Sequence, residues 1–248
     1  MKNVYKDIII NSQIAKTQLA VLIDPDKMEI KNISSFIGKV NRSIATHIFV
    51  GGSEVDTNID EQILEIKSHT KLPVILFPGD TNQISPEADG ILFLSLISGR
   101  NPDYLIGKHV EAVPKLSTTN LEILPTGYLL VENGKKTSVE KVSKTTPMLR
   151  ADINLIRDTA KAGELLGMKL IYLEAGSGAI QPIDSDIISK VKGSLNIPLI
   201  IGGGIKTKQD LNNAYGAGAD IVVVGTAFEE DESFLEDLLK PEFKITAN

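Results

Sequence analysis

The sequence predicts an α/β protein of one domain, in which eight parallel strands alternate with helices and close into a (β/α)₈ barrel. Three observations lead there. Short β-branched and aliphatic runs recur eight times in 248 residues, and most are apolar throughout, as when both faces of a parallel strand are covered. Amphipathic stretches lie between them. Glycines gather after the second, sixth, seventh and eighth runs, whereas an open doubly wound sheet wants one glycine-rich turn near its first strand.

The expected strands are Leu19–Asp24, His47–Val50, Pro73–Phe77, Gly90–Leu94, Ile123–Val131, Leu170–Glu174, Pro198–Ile201 and Ile221–Gly225. Apolar residues at helical spacing mark Ile30–Val40, Ile59–His69, Asn154–Leu166 and Gln209–Tyr215 between them. The stretch Thr81–Ala88 contains Pro86 and reads as a turn where a third helix would stand. Glu132–Thr146, with Asn133-Gly134 and several lysines, reads as an exposed insertion after the fifth strand. No linker divides the chain.

Composition narrows the function. With 26 basic and 32 acidic residues the net charge is −6, which argues against nucleic acid as a partner, because a phosphate backbone needs a basic face. A small phosphorylated ligand needs only a local donor cluster and stays open. Cysteine is absent, removing disulfides and thiolate metal sites. The apolar run near the N-terminus is too short for a signal-peptide core, and no run approaches the roughly 20 residues of a membrane span. A cytoplasmic protein is expected, with peripheral membrane contact still possible.

The chemistry of such a barrel belongs where strands end and helices begin. After the seventh and eighth strands stand Gly202-Gly203-Gly204 and Gly225-Thr226. Glycines at these junctions let backbone N–H groups approach an anion, and the next helix start adds its positive end. Phosphate is the expected ligand; tight turns are the bland alternative. After the sixth strand comes YLEAGSGA, Tyr172 to Ala179, where an acid is followed by five residues with almost no side chain. Such a loop can lie flat against a ligand held by its neighbours. Glu174 would then point into the mouth, able to accept a proton from a substrate hydroxyl or to orient it, unless it serves as a cap or ion-pair partner. Across the rim, Asp24 in Asp24-Pro25-Asp26 and Ser53 after Gly51-Gly52 make a sparse oxygen set of the kind magnesium shares with phosphates. Asp24 could equally initiate a turn. His47, His69 and His109 have no ligand spacing and read as structural or solvated.

The segments LIDPDK, FVGGSEV, ILFPGD, LISGRNPDYLIG, LPTGYLLVE, YLEAGSG, IIGGGI and VVVGTAF stand in an order that resembles the geranylgeranylglyceryl phosphate synthases. These form one superfamily with the heptaprenylglyceryl phosphate synthases, and the resemblance runs from about Leu19 to Phe228, closest to its larger group. It implies magnesium-dependent transfer of a polyprenyl group from its diphosphate to the 3-hydroxyl of sn-glycerol 1-phosphate. It also implies a metal on Asp24 and Ser53, glycerol phosphate against Tyr172, Leu173, Glu174, Ala175, Gly176, Ser177, Gly178, Gly203, Gly204, Gly225 and Thr226, and a homo-oligomer, hexameric or dimeric. Glu174 becomes the expected base. The prenyl tail is expected along Phe77, Leu94, Ile97, Tyr104 and Tyr128, with a geranylgeranyl donor favoured over a longer heptaprenyl one. Two rivals stand beside this: another phosphate-binding barrel such as a sugar-phosphate isomerase, and a binding barrel without catalysis.

Overall fold

The computed structural model describes residues 3–52, 59–225 and 232–240. Eight strands form a closed barrel in sequence order, each parallel to its neighbours, with β8 returning to β1. They are β1 Gln18–Ile23, β2 His47–Val50, β3 Val74–Leu76, β4 Gly90–Leu96, β5 Glu122–Leu130, β6 Leu170–Glu174, β7 Leu199–Gly202 and β8 Ile221–Val224. The expected strands agree within about two residues at each end.

Two apolar layers follow from strand alternation. One fills the barrel with Ala20, Phe49, Ile75, Leu92, Tyr128 and Tyr172; the other lies outside, where Val21, Val50, Ile91 and Leu173 meet the helices. The helix α2 Ile30–Arg42 shows why: Ile33, Phe36, Ile37 and Val40 form one buried face at helical spacing. The helices α3 Ile59–His69, α6 Ile153–Leu165, α7 Ser185–Lys192 and α8 Lys208–Gly216 cover the barrel in the same manner.

Three features were not legible in the pattern or changed its meaning, and a fourth was expected. The helix α1 Val4–Gln13 plugs the N-terminal end of the barrel, its Val4 and Ile8 buried in the inner layer. The backbone N–H groups of Val4 and Tyr5 donate to the Glu122 carboxylate at 2.6 and 3.0 Å, so an acid satisfies the helix start. Between β3 and β4 there is only a 3₁₀ turn, Thr81–Gln83, as Pro86 implied. A π-helical turn, Asp103–Gly107, leads into α4 Lys108–Leu116. Finally, the segment after β5 is not simply an exposed insertion. It carries α5 Ser138–Ser143, opened by a Thr137–Glu140 capping box, and Asn133, Thr137 and Ser143 are buried. Polar composition concealed this, because its polar groups are satisfied by neighbouring backbone rather than by water.

Candidate active site

A cavity of about 880 Å³ opens at the C-terminal end of the barrel. Its rim carries Asp24, Ser177, Gly178, Gly203, Gly204 and Gly225, and Glu174 lines its floor. An apolar arm leaves the rim past Phe77, Tyr128, Leu94 and Tyr104. It continues to Ile84, Ile91, Phe93, His109 and Ala112, which belong to the end of the turn between β3 and β4, the outer side of β4 and α4. The arm can reach there because no helix covers the barrel between β3 and β4. The α5 segment forms the opposite wall through Ser138, Val139 and Val142.

Register brings the inner aromatic residues together. Tyr128 pairs with Tyr172 across β5 and β6, so their rings lie side by side with centroids 5.2 Å apart. Phe77 stacks on Tyr172 at 5.3 Å. Two residues further along β6, on the same face, Glu174 ends the strand. It is 6% exposed and has no cationic partner among the described residues. Its Oε1 accepts the Gly176 N–H at 2.6 Å. Burial pushes its carboxyl up to about 7, against the opposing pull of that N–H and of the Tyr172 and Tyr128 hydroxyls. Tyr172 Oη faces the acid but is not aligned for a full hydrogen bond, leaving a buried hydroxyl for another acceptor. Both phenols are pushed well above their usual range by burial and by the neighbouring carboxylate. A carboxyl that exchanges its proton near neutral pH, at the floor of an open cavity, is suited to general base work.

Loop seven needs its glycines. Gly203 has φ of +82° and Gly204 of +74°, the left-handed region. A Cβ on Gly203 would lie 2.5 Å from Glu174 Oε1 and 2.7 Å from the Gly176 nitrogen, and one on Gly204 would lie 2.8 Å from the Gln181 carbonyl carbon. Loops six and seven are thus in backbone contact, which is what the small residues of YLEAGSGA permit.

Not every expected residue reaches the cavity. Leu173 points away from it: as the alternate residue of β6 it is buried among the helices. Ala175 and Gly176 lie behind the rim, the Ala175 carbonyl accepting from Asn133 Nδ2 and the Gly176 N–H committed to Glu174. Ile97 also stands outside the barrel, its Cδ1 against Gly127 and Gly163. It lies three residues beyond Leu94, so alternation turns it to the opposite face. Ser53 and Thr226 fall outside the described residues. Asp24 lines the mouth, where its Oδ2 meets Lys27 Nζ at 3.0 Å. Among the described residues no three acids or histidines gather as a side-chain cage. Of the two expected metal residues the described one, Asp24, thus offers the mouth a single carboxylate, paired with Lys27.

The histidines have local explanations. His47 is buried, with its imidazole lowered to about 4 by desolvation and Nδ1 beside Thr46 Oγ1 at 2.8 Å. His69 pairs with Glu65 at 2.9 Å on the surface. His109, edge-on to Phe93 at 4.4 Å, lines the apolar arm rather than a metal site. Sequence reasoning missed the wall residues Ser138, Val139 and Val142, and gave Tyr128 no part beside Glu174. Pairing of the two tyrosines across β5 and β6 was the available signal.

Fold and site together define a (β/α)₈ barrel with a glycine-lined mouth, a buried acid at its floor and an apolar arm leading away. The chain belongs to the PcrB family, whose model matches residues 12–243. It is 56% identical over 233 residues, covering 94% of this chain and 99% of the relative, to the geranylgeranylglyceryl phosphate synthase of Zunongwangia profunda. It also resembles the crystal structure of (S)-3-O-geranylgeranylglyceryl phosphate synthase from Thermoplasma acidophilum in complex with substrate sn-glycerol-1-phosphate. That match has a TM-score of 0.89 and 33% identity, and it covers 96% of each chain. A tryptophan synthase α-subunit from Pyrococcus furiosus, at 15% identity and a TM-score of 0.56, shares the fold alone.

Proposed function

We propose that this protein joins a geranylgeranyl group from its diphosphate to the 3-hydroxyl of sn-glycerol 1-phosphate. The observation that carries the reading is the position of Glu174. A buried acid with a carboxyl pushed up to about 7 lies between a glycine rim suited to phosphate and an apolar arm suited to a polyprenyl tail. The relatives' names, and the glycerol phosphate bound in the Thermoplasma acidophilum enzyme, support the same acceptor.

In this reading the acceptor phosphate rests on Ser177, Gly178, Gly203, Gly204, Gly225 and Thr226. The hydroxyl to be alkylated then faces Glu174. The allylic C–O bond of the donor breaks with its electron pair leaving on the diphosphate, and the glycerol oxygen forms the new C–O bond. Its proton passes to Glu174. Magnesium held by Asp24 and Ser53, when bound, neutralises the charge of the leaving diphosphate. Binding both substrates in one cavity also converts an encounter into an intramolecular step. Tyr128 packs beside the acid and the free Tyr172 hydroxyl faces the reacting centre, while Phe77, Leu94 and Tyr104 line the tail path. The Tyr104 hydroxyl donates to the Val142 carbonyl at 3.3 Å, tying the arm to its α5 wall. Exposed Ile106, Val110 and Val113, on successive turns of one helical face, support a homo-oligomer, a hexamer or dimer. No helix among the described residues is long and apolar enough to cross a membrane, so any bilayer contact for the lipid product is peripheral.

The test is incubation of radiolabelled sn-glycerol 1-phosphate with prenyl diphosphates of graded length, with and without magnesium. The expected outcome is magnesium-dependent product, greatest with the C20 donor, and strong discrimination against sn-glycerol 3-phosphate. Equal kcat/KM for the two enantiomers would remove the acceptor reading. Preference for a C35 donor would instead favour the heptaprenyl alternative.

A further inference from the structure

The guanidinium of Arg150 lies at the junction of loops five and six, 14% exposed, outside the cavity lining. Its contacts face two ways. Toward the start of loop five, Nε donates to the Glu132 carbonyl at 2.7 Å, while the Arg150 backbone N–H donates to Glu132 Oε1 at 3.1 Å. Toward the end of loop six, Nη2 donates to the carbonyls of Gln181 and Pro182 at 3.2 and 2.8 Å, and Nη1 pairs with Asp184 at 2.8 Å. A planar fork with five donors is suited to holding several carbonyls in fixed relation.

The Gln181–Pro182 peptide also meets loop seven. It is the surface that a Cβ on Gly204 would strike, at 2.8 Å from the Gln181 carbonyl carbon and from the Pro182 nitrogen. The peptide that Arg150 grips is therefore the floor beneath Gly204. Loop five is joined to loop six at its other end too, where Asn133 Nδ2 donates to the Ala175 carbonyl. Ser177 and Gly178, which line the rim, lie between these two attachments.

We infer that Arg150 is a positioning residue for the acceptor phosphate, setting the height of Gly203-Gly204 and the course of Ser177-Gly178 from behind the rim. This rests on the acceptor reading above. Among the described residues no hydrogen bond or ion pair of Arg150 reaches the apolar arm or Asp24, so its influence should divide between the two substrates. Release of the fork lets the Gln181–Pro182 peptide move, and the N–H groups of loop seven lose their common aim.

The experiment compares Arg150→Ala and Arg150→Lys with the unaltered protein. It measures the KM for each substrate, the binding of inorganic phosphate and of sn-glycerol 1-phosphate by calorimetry, and the urea midpoint. Arg150→Ala should raise the glycerol phosphate KM roughly tenfold or more, as expected for a supporting residue, and weaken phosphate binding alike. The donor KM should stay within about twofold, because uniform loss of binding for one ligand leaves the other untouched. Arg150→Lys keeps the charge beside Asp184 but loses the fork, so it should give the same split, and it stands in should Arg150→Ala fail to fold. Both KM values rising together, or phosphate binding unchanged in folded Arg150→Lys, overturns the inference. If the unaltered protein binds phosphate but makes no prenyl product, the functional reading fails while the phosphate arm still judges Arg150.

Discussion

The two ends of the barrel treat buried and half-buried acids in opposite ways. At the N-terminal end, Asp220 accepts the Leu199 N–H at 2.7 Å, Lys192 Nζ at 2.6 Å and Ser12 Oγ at 2.5 Å. Asp89 accepts the Val74 N–H at 2.8 Å and Lys67 at 3.0 Å, and Glu122 takes the first N–H groups of α1. Each of these acids meets a lysine or a helix start. At the C-terminal end, Glu174 is buried like Asp220, and more deeply than Asp89 or Glu122, but it meets one backbone N–H and faces two phenols. Burial with a countercharge fastens strands together; burial without one prepares an acid to exchange a proton.

The largest effect expected from breaking this contrast is at Glu174. Glu174→Gln should cost roughly 10²–10⁴ in kcat while preserving shape. In the unaltered enzyme kcat/KM should rise as pH passes upward through about 7, as the base ionises. Stability should move oppositely to activity. The folded carboxyl holds its proton up to about 7, against an ordinary value of 4.5. Its cost is therefore absent below 4.5, grows as pH rises between those values and is constant above. At full size the gap corresponds to about 3 kcal/mol, at 1.36 kcal/mol per pH unit. Glu174→Gln should be more stable than the parent at pH 8 and equal to it near pH 4.5. Urea melts at both pH values, beside steady-state kinetics, check this; a variant less stable at pH 8 refutes the unpaired-acid account.

The opposite result is expected at the other end. Asp220→Asn turns donors toward donors and should lose about 2–3 kcal/mol of stability, with kcat per folded molecule unchanged. A selective loss of kcat there would break the contrast.

Asp24→Asn sharpens the comparison within the mouth. Magnesium affinity, read by titration in the presence of diphosphate, should fall at least the roughly 10–100-fold seen when a metal's supporting shell is lost. Affinity for glycerol phosphate should hardly change, and an unaltered magnesium requirement means the ion sits elsewhere.

The smallest expected change is at Tyr104. Its removal widens the path along the arm, and each further buried methylene contributes about 0.8 kcal/mol. Tyr104→Ala should therefore shift donor preference toward C30 or C35 chains by severalfold. A donor series with size-exclusion chromatography checks it: an unchanged donor profile with an altered oligomer assigns Tyr104 to subunit contact.

Much of this molecule was determined by the sequence itself. The eight apolar runs, the missing third helix signalled by Pro86, and the glycines after the sixth and seventh strands are local properties. They follow from side-chain period and backbone freedom, which each short stretch carries alone. The order of YLEAGSG and IIGGGI likewise put an acid beside a phosphate-suited rim. Tertiary structure decided the rest, because it depends on which distant groups meet. Strand alternation within the closed barrel turned Leu173 and Ile97 outward while bringing Tyr128 beside Tyr172. The polar composition of 132–146 read as an exposed insertion, but contacts such as Asn133 with the backbone of Ala175 made it a wall. Glu174 is an ordinary carboxylate as a letter in the sequence. Only the surrounding barrel, by excluding water and supplying no cation, raised its proton affinity to near neutrality.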